Sequence, residues 1–111
     1  MDIGIGTSLV NVNRFKSKKA LKKVFTQKEI SYCVSKIRPR EHFAARFAGK
    51  SAVIKAFSGF NKKLSFSDIE IIHLKNNQPK VLVKSCSEFI INLSLSHEKE
   101  HALAFTTVIK R

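Results

Sequence analysis

Two hydrophobic periods divide this chain. From about Asn11 to Phe57 apolar residues recur at helical spacing, and after Gly59 they alternate as in strands. Ahead of both, Asp2 to Gly6 reads as a short opening strand whose glycines let another backbone or a ligand come close. Asn11 to about Lys23 is a basic helical stretch with Val12, Phe15 and Leu21 turned inward. Thr26-Gln-Lys-Glu29 has the form of a capping box and opens a second helix, Gln27 to about Lys36. Pro39 suits the first turn of a long central helix that runs to about Phe57, with Phe43, Phe47 and Ile54 on an apolar stripe. Phe66 to Leu74, Lys80 to Lys84, Phe89 to Leu95 and Ala102 to Ile109 are rich in β-branched and aromatic residues and read as strands. Turns fall at Asn76-Asn-Gln-Pro79 and Glu98-Lys-Glu-His101. Helices first and strands second predict an α+β fold, an antiparallel sheet packed on the long central helix. No repeat or linker interrupts residues 1–111, so one domain is expected.

Composition adds a partner class. The chain has 21 Lys and Arg against 8 Asp and Glu, a net charge of +13. That balance implies an anionic partner: nucleic acid, a membrane surface, an acidic protein or a phosphorylated cofactor. A generally Lys-rich composition is the alternative explanation. A content of 43% hydrophobic residues with nine Phe supports a compact core, although a domain of 111 residues gains from oligomerisation. Cys33 and Cys86 fit no metal or CxxC spacing and are expected to be reduced and buried. The opening residues lack a charged region followed by an apolar run, and no apolar run spans a bilayer, so a cytoplasmic setting without membrane is expected.

The charges cluster. Arg46 and Lys50 stand four apart on the central helix, Lys55 follows about one turn later, and no acid occurs between Glu41 and Asp68. This is a cationic ridge suited to a phosphate-bearing ligand, unless it is simply a solvated face. Arg14, Lys16, Lys18, Lys19, Lys22 and Lys23 make the first helical stretch either solvated surface or a dock for an acidic protein. Nucleic acid is a rival on charge alone, but no interleaved aromatics, helix-turn-helix or zinc signature accompany the basic stretches. His97 sits just past a strand end, where side chains commonly face a cleft. His42, His73 and His101 read as surface or turn residues without metal spacing, and Asp68 and Glu70 as an exposed strand face.

Gly4-Ile-Gly6 with Leu9-Val10, Phe25-Thr26 before Glu29, Phe43-Ala-Ala-Arg-Phe-Ala-Gly-Lys50 with Lys55-Ala56, Phe66-Ser-Asp-Ile-Glu-Ile71, Gln78-Pro79, and Leu93-Ser-Leu-Ser-His-Glu98 with Ala102 to Phe105 occur in one order. Together, across nearly the whole chain, they resemble the holo-(acyl-carrier-protein) synthases, small 4′-phosphopantetheinyl transferases. The resemblance implies a homotrimer with sites between subunits, coenzyme A as substrate, acyl carrier protein as partner, and transfer of 4′-phosphopantetheine to a carrier serine with release of 3′,5′-ADP. It implies catalytic roles for Lys55 and His97, coenzyme contacts from Arg46, Lys50, Lys55, Ser58, Gly59 and His97, and carrier docking through Arg14, Lys18 and Lys22.

The chain departs from that family at the metal. The family holds magnesium with an Asp in the opening strand and a Glu directly after the Lys of the signature helix, positions taken here by Ser8 and Ser51. Hydroxyls are weak ligands for a hard divalent ion. Ser58-Gly59-Phe60-Asn61 also lacks the family's further glycines and is shorter. A transferase weakened or silenced at its metal site is therefore expected. A catalytically silent binder of coenzyme A or carrier protein is the alternative, and a basic nucleic-acid-binding module a weaker one.

Overall fold

A computed structural model describes residues 2–15 and 21–111. In chain order it contains β1 (Ile3–Asn11), a 3-10 turn (Val12–Phe15), α1 (Leu21–Val24), α2 (Gln27–Val34), α3 (Pro39–Ser58), a second 3-10 turn (Phe66–Asp68), β2 (Ile69–His73), β3 (Pro79–Val83), β4 (Phe89–His97) and β5 (His101–Lys110). The α+β class and the long central helix agree with the sequence pattern. The strands form two antiparallel sheets rather than one, β1-β5-β4 and the hairpin β2-β3. No helix among the described residues is long and apolar enough to cross a membrane.

Two boundaries differ from expectation. The opening strand runs on to Asn11, because Gly4, Gly6, Ser8 and Val10 keep one inward alternation and the strand pairs with β5 from Ile3↔Ile109 to Asn11↔His101. The basic helix expected from Asn11 is therefore reduced, among the described residues, to the 3-10 turn and the short α1; Lys16, Lys18 and Lys19 lie outside them. The strand expected from Phe66 begins only at Ile69, since Asp68 Oδ2 accepts from Ser65 N at 2.9 Å and closes a turn.

The face of α3 under the sheet is a row of small residues. Ala44, Ala48, Ala52 and Ala56 recur every turn and are fully buried against β1 and β5. A Cβ at Gly6 would stand 1.8 Å from the Ala52 carbonyl oxygen, and one at Gly4 2.2 Å from that of Ala56. The opening glycines thus serve a close backbone contact rather than a ligand. Phe43 packs on Phe25, and Phe47 on Phe15, in a satellite cluster beneath α2. The capping box is formed, Thr26 taking Glu29 N while Glu29 takes Thr26 N, and Asn77 at φ 67° turns the β2-β3 hairpin. The outer face of the three-stranded sheet is apolar as well: Ile3, Ile5, Leu9, Ile90, Leu103 and Phe105 are exposed there.

Candidate active site

The cations of α3 part company in three dimensions. Lys50 is 0% exposed, with Nζ 2.6 Å from Glu29 Oε1, 2.6 Å from the Val24 carbonyl and 3.2 Å from the Phe66 carbonyl. An ammonium has three N–H donors, and each is accepted inside the domain. Glu29, 1% exposed, also takes Thr26 N at 2.9 Å and Ile71 N at 3.0 Å, so one buried ion pair ties α2 and β2 to α3. Burial pushes the Lys50 ammonium below its ordinary value, and the Glu29 carboxylate opposes that shift. Lys50 is not a free phosphate-facing cation. Its acid partner comes from another helix, where spacing along α3 could not reveal it.

Arg46 is likewise inside, 1% exposed, with Nη2 2.8 Å from His73 Nδ1 and its guanidinium 4.0 Å over the Tyr32 ring. Tyr32 and His73 stack at 4.7 Å with an interplanar angle of 2°. Burial, then the Arg46 charge, lowers the His73 imidazole to about 4. It is neutral near pH 7, so Nδ1 accepts from the guanidinium. Neither Tyr32 nor His73 was distinguishable in the sequence from surface residues, because their stack joins α2 to β2. The cationic ridge is thus an interior feature at Arg46 and Lys50 and an outward one only at Lys55. Cys33 and Cys86 are free and buried as expected, and burial raises the Cys33 thiol to about 11.

Lys55 is exposed and donates from Nζ to the Thr7 carbonyl at 2.9 Å. Ser51 stands one turn earlier on the same helix face. Ser8, 8% exposed, follows Thr7 and points inward. One strand–helix junction therefore collects Ser8, Ser51 and Lys55. Ser58 and Gly59 end the helix nearby, where Ser58 Oγ donates back to the Lys55 carbonyl at 2.6 Å and Gly59 caps α3 in a right-handed conformation. The junction holds hydroxyls and an ammonium but no carboxylate. Asp2 lies near the start of β1, about 20 Å from Ser8 along an extended strand. The residues present do not fit a divalent ion, and among the described residues no group of three or more His, Cys, Asp or Glu is placed to hold one.

His97 sits at the other end of α3. Its Nδ1 is 3.1 Å from Glu41 Oε1, and its ring meets His42 edge-on at 5.0 Å. Ser35, Lys36, Arg38, Glu41, His42 and His97 line an open cleft there. Burial, then the neighbouring His97, lowers the His42 imidazole from its ordinary value. His42 is thus a partly buried member of this cluster rather than a surface residue, while His101 is exposed at the first position of β5. From Glu41 to Lys55 the helix covers about 20 Å, so one copy of the chain does not bring Lys55 and His97 together. Of the docking residues, Arg14 is exposed with its guanidinium 4.5 Å over Phe47, Lys22 is exposed on α1, and Lys18 lies outside the described residues.

A small α+β domain with this strand order and helix matches the family model of the 4′-phosphopantetheinyl transferase superfamily over residues 4–106, and the chain belongs to that family. Its relatives are holo-(acyl-carrier-protein) synthases. That of Thermodesulfovibrio yellowstonii is 40% identical, covering 95% of this chain and 96% of the relative. That of Bacillus subtilis is 35% identical, covering 100% and 98%. A solved holo-(acyl-carrier-protein) synthase from Bacillus anthracis, in complex with CoA (3′,5′-ADP), is similar at a TM-score of 0.86 and 30% identity, over 100% of both chains.

Proposed function

We propose that this chain is a phosphopantetheinyl transferase of the holo-acyl-carrier-protein synthase type that keeps its coenzyme A and carrier-protein sites but transfers the phosphopantetheine arm slowly, in a cytoplasmic setting. The observation that carries this reading is the junction of β1 and α3. Lys55 is available there to a diphosphate, while Ser8 and Ser51 offer no carboxylate for magnesium. In such a reaction a metal contributes several kcal/mol of charge stabilisation, and its loss slows transfer by roughly three to five orders of magnitude. Binding of the diphosphate needs a cation with N–H donors to spare, and the exposed Lys55 ammonium supplies one.

His97 and the cleft beside it belong to the same reading from the opposite end of α3. A site that uses both Lys55 and His97 draws them from two copies. The apolar outer face of β1-β5-β4, with Ile5, Leu9, Leu103 and Phe105 exposed, supports self-association of the kind a homotrimer requires. Arg14 and Lys22 then serve an acidic carrier protein, chiefly by speeding encounter and fixing orientation.

The two serines favour a second reading, a catalytically silent binder of coenzyme A or carrier protein. Titration calorimetry with coenzyme A tests what the two readings share. Binding is expected with or without a chelator, and Lys55→Met is expected to weaken it about tenfold or more, the loss of one charge-assisted contact. Absence of binding by the unaltered chain, or full binding by Lys55→Met, contradicts the proposed site.

A further inference from the structure

We infer that Glu41 is a positioning residue for His97: it fixes which imidazole nitrogen carries the hydrogen and turns the other toward the open cleft. The inference rests on the reading of His97 as a coenzyme-facing residue and deepens it. Glu41 is 8% exposed in the first turn of α3, where the helix dipole favours a carboxylate. Its Oε1 lies 3.1 Å from His97 Nδ1, and its Oε2 lies 3.6 Å from Arg38 Nη1. An ionised carboxylate only accepts, so Nδ1 is the donor. In the neutral ring Nε2 then bears the lone pair.

The surroundings complete the hold. His42 packs edge-on against the His97 ring at 5.0 Å, and Arg38 draws the carboxylate from its other side. The His97 side chain keeps 31% of its surface exposed, and with Ser35, Lys36, Arg38, Glu41 and His42 it lines the open cleft. Nε2 is presented there as an acceptor while the ring is neutral and as a second donor once the ring is protonated. A carboxylate that orients a histidine through Nδ1 in this way leaves one nitrogen free for a ligand or a proton.

The test has two readouts. Long-range nitrogen–proton NMR of the unaltered chain, taken where the His97 nitrogen shifts report a neutral ring, is expected to show His97 in the Nδ1–H form, whereas a free imidazole favours Nε2–H. Glu41→Ala is expected to return His97 to the free preference and to weaken coenzyme A binding about fivefold or more, while Glu41→Gln, which keeps an acceptor oxygen, recovers most of the affinity. An Nε2–H form in the unaltered chain overturns the inference whatever the affinities are. Equal affinity in all three proteins overturns the positioning role. A chain that shows the Nδ1–H form yet binds no coenzyme A refutes the reading of the site instead, and the role of Glu41 in ligand binding with it.

Discussion

Lys50 and Lys55 lie on one helix and share a side chain, yet they face opposite worlds. Around Lys50 every donor is met: Glu29, the Val24 carbonyl and the Phe66 carbonyl take its three N–H groups in full burial. Around Lys55, among the described residues, only the Thr7 carbonyl is engaged, and the neighbouring positions carry Ser8 and Ser51 where a carboxylate pair would balance the charge. The difference teaches that cationic residues on a helix do not by themselves mark a ligand site. What separates the two is whether a distant element supplies an acid. The Lys50 region is a structural lock, and the Lys55 ammonium has no acid partner among the described residues.

Breaking the lock gives the largest effect. Lys50→Met leaves the Glu29 carboxylate buried without its partner and is expected to cost about 3–5 kcal/mol of stability. Lys55→Met, at an exposed position, is expected to change stability by about 0.5 kcal/mol or less. Denaturant unfolding of the two variants measures the contrast directly. Equal losses would mean that Lys50 is not held as described. Replacing both members, Lys50→Met with Glu29→Leu, is expected to cost less than the sum of the single changes, because no lone charge then remains buried.

Acid sharpens the same contrast by a smaller amount. His73, stacked beside Arg46 in the buried region, has its imidazole lowered from 6.5 to about 4 by burial and then by the Arg46 charge. Below about 6.5 the unfolded chain takes up a proton that the folded chain resists until about 4. Stability is therefore lost as pH falls through that window, by about 1–3 kcal/mol once solvent screening is allowed for. His73→Gln is expected to flatten that part of the profile. A stability curve that stays level from 6.5 to 4 in the unaltered chain would contradict the neutral His73 and its bond to Arg46.

Much of the fold was legible because its cues are local. The capping box at Thr26 and Glu29, Pro39 at the start of α3, and the turn at Asn76 to Pro79 each act within a few residues. The opening strand was read too short because Thr7 and Ser8 interrupt the apolar pattern, although their alternation continues. The stripe of Phe43, Phe47 and Ile54 drew attention from the alanine row that carries the sheet, since small residues give a weak hydrophobic signal. The site was legible in its residue types and not in its pairings. Glu29 with Lys50, Glu41 with His97, and Tyr32 with His73 and Arg46 all join separate elements, so no spacing rule shows them. Lys55 and His97 are expected in sites between subunits, and α3 sets them about 20 Å apart within a copy.

The transfer reaction itself tests the central claim most directly. The chain is incubated with coenzyme A, magnesium and an apo acyl carrier protein, and the carrier is weighed by mass spectrometry over time, beside the variant Ser8→Asp with Ser51→Glu. The account predicts little or no gain of a phosphopantetheine arm with the unaltered chain, and magnesium-dependent gain faster by about three orders of magnitude or more with the double variant. Rapid stoichiometric modification by the unaltered chain would contradict it.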